Sequence, residues 1–328
     1  MDLVKRIIAS LKTYVRGIAL PEEKPLFIVT PMMVVAATAF TLVFDLAATQ
    51  LVWSSQRAWL YPLFVPLFAL GQSSFWYLYM LEHQAVHGAV CRRQWINGMV
   101  AELGSIITVA QPPSLYRPKH MLEHHHPKRL ASSGDPDFRW LKRLGFVEGR
   151  SIEQYWSLLW FTLLDPRFYL KNFVSRVRGH LIQASLAHRT SLIIWWGVLI
   201  ISASTFHAWA ALVMYVMLVT VAFPISALLQ TVTEHRWGST DHPLLKTYPR
   251  LLPIDSKPQL FLLYLYWRGA ILSTDLSQHQ VHHRKRATHD WPMVAYSTYA
   301  RADLPKAIWG IREHFRAAFE SLAKAKTK

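Results

Sequence analysis

The 328-residue chain holds a single cysteine, Cys91, and few charges, with Asp, Glu, Lys and Arg making up only 17%. A lone thiol closes no intrachain disulfide, so a secreted disulfide scaffold is excluded, and thiolate metal clusters go with it. Acid is scarcest: 20 Asp and Glu stand against 36 Lys and Arg, a formal net charge of +16. That balance suits anionic lipid surfaces, nucleic acid or acidic protein partners, and the placement of the charge decides among them. There is no internal repeat, and H-E-x-x-H is missing because Gln84 follows His83, which removes the general base of that class of zinc hydrolase. What is abundant is apolar surface: 52% of residues are apolar, with 14 Trp and 13 Tyr, as expected of a chain with bilayer-facing faces and interfacial anchors.

Residues Phe27 to Trp53 carry one charge, Asp45, and Ala58 to Leu81 carry none, so each covers the roughly 20 residues a spanning helix needs. Thr190 to Thr233 also lacks Asp, Glu, Lys and Arg, a run long enough for two crossings joined near His207. These runs predict an all-α integral-membrane fold with four transmembrane helices arranged as two hairpins. Thirty-five of the 36 Lys and Arg fall outside the hairpins, the exception being Arg57, which places both termini and the long polar segments in the cytoplasm. A nucleic-acid footprint is thereby excluded. Ile96 to Ala110, Tyr155 to Leu164 and Gln259 to Leu272 read as interfacial or packed helices. Met1 to Gly17, with Lys5, Arg6, Lys12 and Arg16 between Val4, Ile8, Leu11 and Val15, reads as an amphipathic surface helix rather than a signal peptide. The whole chain, 1–328, is thus expected to be one domain: an amphipathic segment (1–26), a first hairpin (27–81), a cytoplasmic segment (82–189), a second hairpin (190–233) and a cytoplasmic cap (234–328). Asp45, near the outer interface, is expected to snorkel or make a turn contact.

Of sixteen histidines, eight stand in three short windows beside apolar segments. His83 and His87 form H-x-x-x-H, and the i, i+4 spacing puts both rings on one helix face. His120, His124 and His125 form H-x-x-x-H-H, and His279, His282 and His283 form H-x-x-H-H. Eight imidazoles suffice for two metal ions, and a structural zinc would close with four ligands, usually including Cys. Imidazole alone suits several metals. His126 is an alternative to His124 in a shifted register. His180, His188, His207, His242, His289 and His314 read as ordinary core or surface rings. Trp76, Tyr77, Tyr79, Trp195 and Trp196 are open to two readings, the lining of an apolar tunnel or plain packing.

These windows resemble the histidine boxes of the integral-membrane fatty-acid desaturase and hydroxylase superfamily. Glu82 to Gly88 looks like the first box, His120 to His125 followed by Gly134-Asp135-Pro136-Asp137 like the second, and His279 to His283 like the third. His235, in Thr231-Val232-Thr233-Glu234-His235, occupies the place of a ninth ligand, while Thr231 stands where members of the family carry an Asn. The resemblance implies two iron ions held by His83, His87, His120, His124, His125, His235, His279, His282 and His283. It further implies O2-dependent attack on an unactivated C–H bond, chemistry that side-chain acids and bases cannot supply. Glu82, Glu123, Asp135, Thr231, Glu234 and Asp275 are candidates to support the ligands from behind, with Asp137 capping the loop after the second box.

The expected reaction is desaturation of a long acyl chain linked to lipid, CoA or a carrier protein. Hydroxylase, acetylenase, and carotenoid or alkane oxygenase are the alternatives within the superfamily, and a non-catalytic metal-binding membrane protein is the alternative outside it. With no H-P-G-G segment in the chain, electrons are expected from a separate donor of ferredoxin, cytochrome b5 or rubredoxin type. Arg117, Lys119, Lys128, Arg129 and Arg284-Lys285-Arg286 could dock an acidic partner or could simply obey the positive-inside rule. The membrane is either a bacterial inner membrane or the endoplasmic reticulum.

Overall fold

A computed structural model describes residues 3–18, 31–238, 246–273, 277, 279–284 and 307–325. Asp275, His242, His289, Lys285 and Arg286 lie outside the described residues, as does the start of the first apolar run. Of the described residues, 76% are helical, and the strands among them are two-residue pieces, β1 (Arg250–Leu251) and β2 (Ile308–Trp309), paired in parallel. It separates into two compact units, one of residues 31–116 and 166–226 and the other of residues 1–30, 117–165 and 227–328.

The first unit is the apolar one. It holds α2 (Pro31–Ser54), α3 (Phe64–Val86), α4 (Gln94–Thr108), α5 (Pro113–Lys119, to Tyr116), α8 (Pro166–Arg178), α9 (Leu186–Thr205) and α10 (Trp209–Met217), which runs through a wide turn, Leu218–Ala222, into α11 (Phe223–Glu234, to Ser226). Three helical stretches, Met32–Ser54, Leu186–Thr205 and Trp209–Glu234, are long and apolar enough to cross a membrane, and their exposed Phe40, Val43, Leu51, Ile193, Ile201 and Val213 leave apolar faces for lipid. α3 is equally long but falls below them in apolarity, because Gln72, Ser73, Ser74 and its tyrosines dilute the aliphatic residues. Gln72 is used inside the unit, donating from Nε2 to Ser226 Oγ at 2.9 Å.

The core of this unit gathers Leu42, Phe75, Val109, Met214, Tyr215, Leu218 and Val219. Four of the aromatic residues that have two readings make packing contacts: Trp76 and Tyr79 meet the Phe223 ring edge-on, Trp196 meets the Tyr215 ring edge-on, and Trp195 Nε1 donates to the Tyr215 hydroxyl at 2.8 Å. The turn between α9 and α10 falls at His207, whose φ of 53° reverses the chain and whose carbonyl accepts from Gln50 at 3.0 Å. Asp45 does not snorkel. It is fully buried, its carboxylate lies against Gly71, and neither oxygen has a partner among the described residues. A Cβ at residue 71 would come within 2.5 Å of Asp45 Oδ2, so the glycine makes the space for the acid.

The second unit carries α1 (Leu3–Arg16), α6 (Pro136–Arg143), α7 (Ile152–Leu164), α12 (Phe261–Ala270), α13 (His279–Arg284) and α14 (Ile311–Lys324). α1 is amphipathic as its sequence indicates, with Leu3, Val4, Ile7, Ile8 and Leu11 exposed and Thr13, Val15 and Arg16 buried. Arg16 ties its end down through Asp255 at 2.8 and 2.9 Å. Phe146, Tyr155, Trp156, Phe315 and Phe319 interlock α7 with α14 through ring contacts of 5.2–6.5 Å.

His314 shows what a ring outside the boxes does here. It is fully buried, and its Nε2–H is shared between Leu251 O at 3.2 Å and Ile308 O at 3.0 Å, joining β1 to β2. Burial, with the Arg250 guanidinium adding to it, pushes its pKa down to about 3. An unfolded histidine titrates near pH 6.5, so the neutral ring stabilises the fold fully above that pH, and its contribution is lost as pH falls from about 6.5 toward 3. With both carbonyls depending on it, His314→Ala is expected to cost about 1–3 kcal/mol and to leave metal content unchanged, as thermal unfolding and metal analysis would show.

Candidate metal centre

Each histidine window is placed by a different local device. His83 and His87 close the last turn of α3, their ring centroids 5.0 Å apart. Gly104 lets α4 pack tightly there, since a Cβ on it would stand 2.9 Å from Glu82 Cβ. His83 Nδ1 lies 2.8 Å from the hydroxyl of Tyr116 on α5. Glu82 is fully buried, with neither carboxylate oxygen paired among the described residues, so it supports no ligand through a hydrogen bond.

In the second unit, α5 passes Pro118, which cannot donate to the helical ladder, and the next turn widens so that His125 N bonds His120 O at 3.0 Å. Widening of this kind is common at functional sites. It turns His120, His124 and His125 toward one another, with His120 4.5 Å from His125 and 5.1 Å from His124, centroid to centroid. His126 is exposed and its Nδ1 accepts from Lys128 N, whereas His124 is 1% exposed; the geometry therefore favours His124 as the ligand. Glu123 turns away from the rings to pair with Arg139 at 2.5 Å.

Asp135 explains the D-P-D sequence. It is the N-cap of α6, accepting from Asp137 N at 2.9 Å ahead of Pro136, and it also accepts from Ala131 N at 2.9 Å. Both its oxygens lie 3.1 Å from His124 Nδ1, and Asp137 Oδ2 lies 3.2 Å from the same nitrogen. Burial alone would lower the His124 pKa, but without a metal the two carboxylates outweigh it and hold the ring up at about 10, so Nε2 would have to give up its proton for the ring to bind a metal in the neutral form. Its Nδ1–H therefore donates to Asp135, which turns Nε2 toward the other histidines.

His235 follows α11 directly and is fully buried, edge-on to Trp237 at 4.9 Å. Trp237 Nε1 donates to Thr231 O and Val232 O, tying off the helix end. Thr231 thus contributes its carbonyl, and no bond from its hydroxyl reaches a histidine among the described residues. Glu234 Oε1 meets His279 Nε2 at 2.5 Å, on the side of the ring that faces the cluster. Burial first, and then the neighbouring rings, depress the pKa values of His235 and His283, which keeps them neutral, the form that binds metal.

Two groups result. His124, His235, His279 and His283 bring one ligand atom each to within 4.8 Å of one another, with His235 Nε2 3.4 Å from His124 Nε2 and His283 Nε2 3.0 Å from His279 Nε2. The second is a trio: His125 Nε2 stands 3.0 Å from His120 Nε2 and 3.2 Å from His282 Nε2. Nitrogens about 2.0–2.1 Å from one tetrahedral ion lie roughly 3.3 Å apart, and these spacings match. The Nδ1 atoms of His235 and His279 are buried without a hydrogen-bond partner among the described residues. Buried imidazoles converging nitrogen to nitrogen fit metal ions.

A fatty acid desaturase family model matches residues 57–315, a stretch that includes all three histidine windows, the D-P-D turn and His235. The chain belongs to the fatty acid desaturase family. No curated protein and no solved structure matches it. Family membership, apolar helices and histidine clusters together make this desaturase a membrane-associated oxidoreductase that acts on fatty acids and binds metal. Tyr116 and Trp237 are the site residues that sequence reasoning missed. Tyr116→Phe is expected to weaken metal retention about 10–100-fold, the usual loss when a ligating histidine loses its outer partner. Competition with a chelator measures it, and unchanged retention would remove Tyr116 from the site.

Proposed function

We propose that this desaturase is a membrane-bound non-haem di-iron oxidoreductase that removes two hydrogens from a long acyl chain at the expense of O2. The observation that carries the reading is the all-imidazole cluster, buried beside a carboxylate that holds His124 in one tautomer. His124, His235, His279 and His283 would hold one iron. His120, His125 and His282 would hold the other, and His83 and His87 of the first box remain ligands that the family resemblance implies. When bound, the irons supply the oxidising power that an aliphatic C–H bond demands and that no side chain provides.

The protein's own part is to orient and to exclude water. Asp135 keeps the proton on His124 Nδ1 and leaves Nε2 for the ion, and Tyr116 does the same for His83 if its hydroxyl accepts from Nδ1. Asp135 and Asp137, buried or half-buried beside His124, offset part of the positive charge that two cations would bring. The seven rings of the second unit that face one another are buried or nearly so, which keeps bulk water from reactive species.

The four-span arrangement, with two hairpins and cytoplasmic termini, belongs to this proposal and rests on the placement of 35 of 36 Lys and Arg outside the hairpins. Electrons would arrive from a separate donor protein. Mass spectrometry of lipids and free acids, from cells with and without the chain, tests the reaction. Acyl products about two mass units lighter are expected, while products about sixteen heavier would make it a hydroxylase. Unchanged lipids, with no metal in the purified protein, would leave only metal-free or non-catalytic roles.

A further inference from the structure

The C-terminal end of α4 is held by side chains to an unusual degree. Val109 adopts the left-handed region at φ 50°, and the five carbonyls from Ile107 to Gln111 each accept from a side chain. The Tyr215 hydroxyl donates to Ile107 O, and Arg176 Nη1 donates to Thr108 O at 3.3 Å and Val109 O at 3.1 Å. His180 Nε2 donates to Ala110 O, and Ser105 Oγ donates to Gln111 O at 3.1 Å. α5 starts two residues later and carries Tyr116, so this corner sets where the partner of His83 stands.

His180 is the inner end of a chain of contacts. Its Nδ1 lies 2.7 Å from His188 Nε2, and His188 Nδ1 lies 2.5 Å from Glu102 Oε2. The chain ends on a carbonyl and a carboxylate, which only accept. Three contacts therefore need three protons, whereas two neutral imidazoles carry two. The third proton has one natural home. Glu102 is 48% exposed on its side chain, His180 is fully buried with the positive Arg176 guanidinium acting on it, and His188 touches the carboxylate directly. Burial, with the positive neighbours adding to it, pushes the His180 pKa down to about 4, in keeping with a neutral inner ring.

We infer that Glu102, His188 and His180 form a proton-holding site in which His188 is the imidazolium of an ion pair with Glu102 and His180 is the neutral ring that anchors Ala110. The site's charged surroundings are Glu102 from α4 and Arg176 from α8. α9 contributes His188 itself, while its Arg189 is turned to Ala184 O and Ile182 O, and the start of α5 presents Pro112 and Leu115 beside Gly179. His188 lies in the first turn of α9, where the helix dipole disfavours a cation, so Glu102 is what keeps the proton there.

Thermal unfolding of the full-length protein in detergent, with its metal content as purified, tests the site in wild type, E102Q, H188Q and the double variant across neutral to alkaline pH. Near neutral pH each single change is expected to lower the midpoint by roughly 2–6 °C, and the double change by less than the sum. Because the folded state binds the extra proton, this coupling is expected to fade as pH rises. Additive losses, or a coupling that stays constant with pH, would overturn the ion pair in favour of neutral hydrogen bonds. If H188Q fails to insert, the gap between wild type and E102Q reads the same site: it should shrink with rising pH, and a constant gap would overturn the inference.

Discussion

His124→Ala is expected to abolish turnover and strip metal from the protein while the chain still inserts in the membrane. His124 takes part in three convergent groups, with His235, His279 and His283, with His120 and His125, and with Asp135 and Asp137. Its removal thus subtracts a donor from the four-histidine group and opens a cavity beside the trio. An outer partner of a ligand is worth about 10–100-fold in metal affinity, and loss of a ligand should exceed that. His126→Ala is the internal control. That ring is exposed, so metal content and turnover should stay close to wild type. Metal analysis and activity of both variants, purified side by side, check the pair; an active His124→Ala protein would remove this ring from the centre.

Asp135→Asn isolates the carboxylate. Asn caps a helix about as well as Asp, so the start of α6 is expected to survive, whereas the charged acceptor for His124 Nδ1–H is lost. Metal affinity should fall about 10–100-fold, with a stability loss of about 1–3 kcal/mol because the amide NH2 meets the Ala131 N–H that the second carboxylate oxygen accepts from. Asp135→Ala removes the cap as well and should cost a further 0.5–2 kcal/mol, about what such caps contribute. If Asn and Ala behaved alike in both metal retention and stability, the interaction with His124 would carry no weight of its own.

Much of the site was legible because its chemistry repeats at helical spacing. His83 and His87, and the H-x-x-H-H of α13, need only the i, i+3 and i+4 rule to share a face. His120, His124 and His125 were legible as a set, yet their convergence depends on the widened turn after Pro118, which hydropathy and spacing do not reveal. Asp135 was visible only as part of D-P-D, and its two roles, cap and partner of His124, merge once α6 is placed. Glu123 sits next to His124 in sequence but points to Arg139, since adjacent residues on a helix face different ways.

Tyr116 and the pair His180 and His188 carry no local pattern. Their partners are 33, 70 and 86 residues away, and only packing brings them together. Asp45 shows the reverse, a charge whose position suggested an interface and whose burial was made possible by the absent side chain of Gly71. Four similar spans follow from unbroken apolar runs, but α3 puts Gln72 to use inside the bundle and turns the Ser74 hydroxyl back on its own Leu70 carbonyl, polar residues that lower its apolarity.

The most direct test of the di-iron reading is the metal content of detergent-purified protein, measured for wild type and His124→Ala. About two irons per chain, lost or sharply reduced in the variant, is the expected result. Zinc in place of iron, or iron unchanged when His124 is removed, would contradict it.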